Sequence, residues 1–240
     1  MFDLSRISDN NKLKGMTKLD INIPPIVPAM TLRDAVLFPK AMMPLRIFEA
    51  RYRQMLEDVL SGNRMFALAG VRVEEDPSKG DREVPFDVAT VGVIRISKKH
   101  DDGTSFVLLQ GIERVKIRSV RNHGPYPMLE VEPMKTKIDD SSLGVRKELV
   151  AQLERNRNLG GEVTDEMMDF LNPLEDDVAF VNLAAFTICK QTLRKQAMLE
   201  VSSLGKRANM LLDDLLRENE KLSLLKQARG DTPFDDIGLN

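Results

Sequence analysis

Two histidines and one cysteine are all that this 240-residue chain offers for soft metal ligation or thiol chemistry. His100, His123 and Cys189 stand far apart, and no pair has a metal-ligand spacing, so neither a metal nor a cofactor is expected. Paired acids recur as Glu74-Glu75, Asp101-Asp102, Asp139-Asp140, Asp176-Asp177 and Asp213-Asp214. Each falls in an expected loop or on a polar helix face, which reads as solvated surface rather than an acid–base pair. A phosphate-binding G-x-x-x-x-G-K-[ST] loop is missing. Gly205-Lys206 has Glu200 where the first glycine belongs, and Arg207 follows it.

Recognition is a better match to these residues than catalysis. Arg114, Lys116 and Arg118 alternate with Val115, Ile117 and Ser119, which sets three cations on one face of a strand. Nucleic-acid contact is one reading; the wet face of a half-buried sheet is the one preferred, given a net charge of −2. Methionine is frequent, 13 of 240 residues, and proteins that bind many sequences use its flexible thioether at their contact surfaces. Met55, Met65 and Met210 read as core filling. Met42 and Met43 are adjacent in a strand, so they point to opposite faces and only one can face the core. In the last strand Leu129 and Val131 share a face, leaving Tyr126, Met128 and Met134 on the other. With Phe38 in the turn before the second strand, the candidate partner-binding set is Phe38, Met42, Met43, Tyr126, Met128 and Met134.

The elements that must position these residues follow from periodicity. Ile26 to Met30 is a strand whose Pro28 suits an edge or an entering strand rather than a central one, Thr31 to Asp34 a turn, and Met42 to Ile47 a second strand. Tyr52, Met55, Leu56, Val59 and Leu60 form one stripe of a helix, with Glu49 in its first turn and Gly62 as a left-handed stop. Strands are expected at Met65 to Val73, Val88 to Ser97, Ser105 to Gln110, Ile112 to Arg121 and Leu129 to Lys137. Gly92 marks a bulge or close contact, Gly111 a break, and the turn at Asp102-Gly103 a hairpin. The charged run from Glu74 to Val84 reads as an exposed loop. After a polar bridge at Asp139 to Ser142 the chain turns helical, with Ser142, Thr164, Asn172 and Ser203 as candidate caps. The fold class is therefore α+β: an N-terminal antiparallel β unit with one helix, then a C-terminal helical bundle.

These residues also resemble a family. Leu32-Arg33-Asp34, Val36-Leu37-Phe38-Pro39, Pro44-Leu45, Ile47-Phe48-Glu49 and Arg51-Tyr52 resemble the N-terminal, substrate-binding domain of Lon proteases in a free-standing bacterial form. Thr31 departs from the pattern, which usually has proline there. Val91-Gly92, Asp102-Gly103, the hexapeptide Leu109 to Arg114 and Pro125-Tyr126 extend the match. Lys195-Gln196, Leu199-Glu200 and Arg207 carry it into the helical half. The resemblance implies a PUA-like barrel and a non-catalytic module that binds unfolded or hydrophobic protein segments, or a specific protein partner. Without the phosphate loop and a peptidase domain with its serine–lysine pair, it would act independently of ATP. The alternative is RNA binding on the same barrel.

The expected organisation is a flexible tail over 1–25, one domain over 26–226 (β-rich over 26–137, helical over 142–226) and a second tail over 227–240. A single cysteine rules out an internal disulfide and fits a reducing, cytoplasmic setting. No apolar run approaches the ~20 residues that span a bilayer, and the first 25 residues lack a signal-peptide core.

Overall fold

The computed structural model describes residues 22–72, 84–122 and 124–230. Short β-rich runs form seven strands: β1 (Ile26–Leu32), β2 (Met42–Ile47), β3 (Met65–Arg72), β4 (Val84–Pro85), β5 (Val88–Lys99), β6 (Ser105–Arg121) and β7 (Met128–Pro133). The sheet runs β1-β7-β6-β5-β3-β4, and a parallel pairing of β1 with β3 closes its first five strands into a barrel. Pro28 was expected at an edge or in an entering strand; β1 is the first described strand and is paired along its length. It runs antiparallel to β7 through Pro28 and parallel to β3 from Ala29, so the missing amide donor falls at the changeover. Thr31 and Leu32 extend this strand rather than forming a turn; the bend is at Arg33 and Asp34.

Two apolar cores result. The barrel interior holds Val27, Ala29, Met65, Ala67, Ala69, Ala89, Val91, Val115, Leu129 and Val131, all buried. Alanine and valine supply eight of these ten, because so few strands enclose a narrow lumen. Phe66 and Leu68 alternate with these alanines, so they face outward, into the second core. There α1 (Ala50–Leu60) packs Tyr52, Met55, Leu56 and Val59 against the wall. Tyr52 ties α1 to β1: its hydroxyl lies 3.0 Å from the Thr31 amide nitrogen, which donates to it, and 2.8 Å from Thr31 Oγ1. Glu49 is the residue before α1 rather than inside its first turn, and the left-handed residue beyond the helix is Arg64, φ 61°, not Gly62.

Gly111 does not break β6, which runs through it without interruption. Its lack of a side chain serves a close approach instead. The Phe38 carbonyl occupies the space a Cβ would need, Lys40 N–H donates to the Gly111 carbonyl at 2.8 Å, and Gly111 N–H donates to Ala41 at 2.9 Å. Gly92 plays the expected part: the β5–β6 register shifts there, and a Cβ would meet Leu109 Cγ at 2.7 Å.

The helical half comprises α2 (Val145–Asn158), α3 (Asp165–Leu171), α4 (Asp177–Ile188), α5 (Thr192–Glu200) and α6 (Leu204–Gly230). Thr164 and Ser203 cap α3 and α6, accepting from Met167 and Lys206 N–H at 3.3 and 3.2 Å. Two other expected caps move. Ser142 belongs to a 3-10 turn, with Gly144 (φ 72°) before α2. Asn172 closes α3, and Asp176 caps α4 by accepting from the Val178 and Ala179 amides at 3.2 Å. A buried amide pair, Asn156 Nδ2 to Asn219 Oδ1 at 2.9 Å, fixes α2 against α6. α6 continues past 226 to Gly230, and β7 ends at Pro133 rather than Lys137.

Two buried arginines join barrel to bundle. Arg114 on β6 and Arg207 on α6 are both fully buried and converge on the C-terminal end of α5. Arg114 donates to the Leu199 and Val201 carbonyls at 2.8 and 2.7 Å and to Thr136 Oγ1 at 2.9 Å. Arg207 donates to Met198 and Val201 carbonyls at 3.1 and 2.7 Å, and to Asn182 Oδ1 at 2.6 Å. Burial lowers the proton affinity of both, Arg207 to about 9 and Arg114 to about 10, with each still charged at neutral pH. Counter-charge comes from Glu113 beside Arg114 and from the α5 carbonyls at the negative end of its dipole. Beside them Gln196 donates to the Val88 carbonyl at 3.0 Å, and Lys137 pairs with the segment at Ser203.

Gly111→Ala is expected to lower stability by roughly 3 kcal/mol, because the 38–41 loop must be displaced from its two β6 hydrogen bonds. Urea unfolding monitored by circular dichroism checks it, and a midpoint equal to the parent's would refute the close-approach reading.

Candidate functional site

Beyond the closed barrel, the ends of β2, β5 and β6 project as a three-stranded ribbon. Its rows follow from the register: Met42–Gln110–Val93, then Pro44–Leu108–Ile96, then Arg46–Phe106–Lys98. Residues 112 and 95 have no cross-strand partner between β5 and β6, which is the mark of a bulge on each strand. The alternate face carries Leu45, Ile47, Ile94, Val107 and Leu109, all buried in the core that includes α1. Val93 packs against the barrel-interior cluster, so the first face is the barrel's lining continued past its mouth.

Nothing among the described residues covers that continuation. Met42, Ile96 and Phe106 are 40%, 51% and 38% exposed; Pro44 is exposed and Leu108 half-buried. Three cations stand among them. Arg95 donates Nε to Gln110 Oε1 at 2.7 Å, which holds its side chain against this face, while Lys98 and Arg46 flank Phe106. The strands contribute no carboxylate to this face; Asp102, from the adjoining turn, lies 3.6 Å from Arg46. Thr104 holds the Asp102 carboxyl below its usual range by accepted hydrogen bonds, so it stays ionised. The surface is thus an apolar strip with a basic rim.

The six candidate residues do not share one surface. Phe38 and Met134 lie in the core, because the 35–41 loop folds under β6 and because the Met134 amide binds the Arg114 carbonyl at the joint. Met43 packs against the same core from the covered side of β2. Tyr126 is part-buried there as well, and its hydroxyl donates to Asp58 Oδ2 at 2.6 Å; burial, then that bond, raises it to about 12. Met128, half-buried, pairs with Pro28 and Arg121. Met42 alone lies on the ribbon face. Pro44, Ile96, Phe106 and Leu108 escaped the sequence reading. Their alternation was legible, but which face α1 would cover was not.

The basic strand divides. Lys116 and Arg118 are exposed, Arg118 in an ion pair with Glu132, whereas Arg114 is the buried joint residue and neither wet face nor nucleic-acid contact. In each acid pair within the described residues at least one member has a structural partner: Asp102 with Thr104, Asp139 with Ser141, Asp177 with Arg146 at 2.9 Å, Asp214 with Arg194 at 2.8 Å. Glu74-Glu75, the 74–84 loop apart from Val84, and His123 lie outside the described residues. Among the described residues no three His, Cys, Asp or Glu side chains converge as a metal site, and no helix is long and apolar enough to cross a membrane.

Comparison with known proteins is consistent across sequence and structure. Residues 26–217 match the family model of the ATP-dependent protease La (LON) substrate-binding domain. A Lon protease of Dictyoglomus thermophilum is 24% identical over 213 residues, 88% of this chain and 26% of that protein. One from Haemophilus influenzae is 28% identical over 207 residues, 85% of this chain and 26% of its own. The chain therefore spans about a quarter of the length of these relatives. The fold is that of the N-terminal domain of Mycobacterium avium complex Lon protease (TM-score 0.60, 19% identity, covering 79% of this chain and 97% of that one). A Lon N-terminal domain protein from Xanthomonas campestris is similar (TM-score 0.56, 20% identity, covering 78% and 97%).

Arg114→Gln is expected to cost roughly 3 kcal/mol, since the Leu199 and Val201 carbonyls lose a charged donor in a buried site. Lys116→Gln with Arg118→Gln should stay within about 0.5 kcal/mol of the parent. Thermal melts of the two variants separate the roles, and equal melting points would contradict the assignment.

Proposed function

The chain belongs to the ATP-dependent protease La (LON) substrate-binding domain family, and on that premise we propose that it captures unfolded or hydrophobic protein segments on the open ribbon face, without catalysis and without nucleotide. The observation that carries the reading is the uncovered row Pro44–Leu108–Ile96 with Met42 and Phe106 on either side. Exposed apolar groups in a contiguous patch stand at a cost in water unless a partner covers them in use. An extended segment presents alternate side chains at the spacing of such rows, so it can be held with little ordering of the binding surface.

Independence from ATP rests on the start of α6. Gly205-Lys206 lies in the first turn of α6, packed against the joint, and the residue before it is Leu204 rather than a glycine-rich loop. No backbone nest of the kind that cradles phosphates is present there. The relevant partner is a protein; an RNA partner would reveal itself through a steep loss of affinity with salt.

The test is Leu108→Glu against a permanently unfolded client such as reduced, carboxymethylated α-lactalbumin. A charge on an open face leaves the fold intact, so the melting temperature should stay within about 3 °C while affinity falls at least about tenfold. Unchanged affinity with an unchanged melt would overturn the site. ATP with magnesium should leave the melting temperature unaltered, because a ligand of the folded state must raise it; a saturable rise would contradict the nucleotide-independent reading.

A further inference from the structure

We infer that the ribbon face selects extended protein segments in which apolar residues are flanked by aspartate or glutamate, an inference that rests on the capture reading above. Its ground is charge complementarity. Arg95 and Lys98 on β5 and Arg46 on β2 surround the apolar rows, while the strands themselves place no acid on this face. The chain as a whole is slightly acidic, with a net charge of −2, so the cations here are a local feature and not a sample of the whole surface.

Position strengthens the argument. Arg95 is the bulged residue of β5, turned onto the face between the Val93 and Ile96 rows, with its guanidinium held on Gln110 at 2.7 Å. Lys98 and Arg46 lie at the far row on either side of Phe106, Arg46 partly neutralised by Asp102 at 3.6 Å. A segment lying across Pro44, Leu108 and Ile96 therefore has a cation within reach on both flanks. Neighbouring carboxylates would form charge-assisted bonds at the rim, while lysines in the same places would meet like charge. The segment sits on the face rather than adding to the sheet. Pro44 in the middle of β2 removes a donor from that strand's free edge, so side chains must provide the hold.

The test uses three fluorescein-labelled peptides with one apolar core of alternating leucine and phenylalanine, flanked by glutamate, lysine or serine. Each is titrated into the full chain, the double variant Arg95→Glu/Lys98→Glu, and Leu108→Glu. For the parent at low ionic strength the glutamate peptide should bind at least tenfold tighter than the lysine peptide, and the gap should narrow with salt as the rim charges are screened. The double variant should reverse the order, while Leu108→Glu should weaken all three. Equal binding of the three peptides by the parent, with Leu108→Glu still weakening all, overturns the charge selection and leaves the capture site standing. No peptide binding, together with client capture indifferent to Leu108→Glu, overturns both. A short single-stranded RNA that displaces the glutamate peptide and binds more tightly also overturns the inference, because the rim would then serve phosphate.

Discussion

The C-terminal end of α5 is the point on which both halves of the molecule depend. Two guanidinium groups from opposite sides, one on a barrel strand and one on the last helix, share the Val201 carbonyl and take up the Leu199 and Met198 carbonyls around it. Neither has a carboxylate among these partners. Burying an arginine is tolerable when most of its fork of donors is paired, and here the carbonyls of a helix terminus, with Thr136 and Asn182, accept from every guanidinium nitrogen except Arg114 Nε. The same contact satisfies that terminus, which leaves helix and strand each incomplete without the other. It also fixes which wall of the barrel the helices cover.

The opposite side follows from that constraint. Helices and α1 occupy the outer wall, so the lining face of β5 and β6 emerges from the barrel mouth with none of the described residues over it. Two bulges matter here. The unpaired residues at 112 and 95 keep Leu109, Thr90, Ile94 and Arg114 turned toward the covered core while the strands bend out of the barrel. Thr90 adds a hydrogen bond to the Leu37 carbonyl at 2.6 Å, which seats the 35–41 loop under the ribbon. A ribbon paired along three strands has its backbone already ordered, so the proposed binding would cost it little entropy.

Much of this architecture was legible in the residues. Strand and helix positions came from period, and Thr164 and Ser203 came from capping chemistry. Gly92 was readable as a bulge because a glycine inside a strand has few other uses. The failures have a common physical source. Gly111, Arg114 and Phe38 are decided by what another part of the chain brings against them, and local pattern carries no record of that. An alternating cation in a strand looks wet until a helix end supplies carbonyls. Phe38, beside a proline in a turn, looked accessible until the loop folded beneath β6. The proposed site was half legible for the same reason: of the six residues singled out, Met42 lies on the open ribbon face, while Leu108, Ile96 and Phe106 read as ordinary strand residues. The motif residues Gln196, Leu199 and Arg207 now have a physical reason, since all three meet at the joint.

The central claim is that protein segments are held on the uncovered lining face at the barrel mouth. Amide hydrogen exchange of the chain, free and saturated with an unfolded client, tests it most directly. Slowed exchange confined to β2 and to the ribbon portions of β5 and β6, at residues 93–98 and 105–110, is the result this account predicts. Protection centred instead on α3 or the distal turns of α6, with the ribbon unchanged, would contradict it.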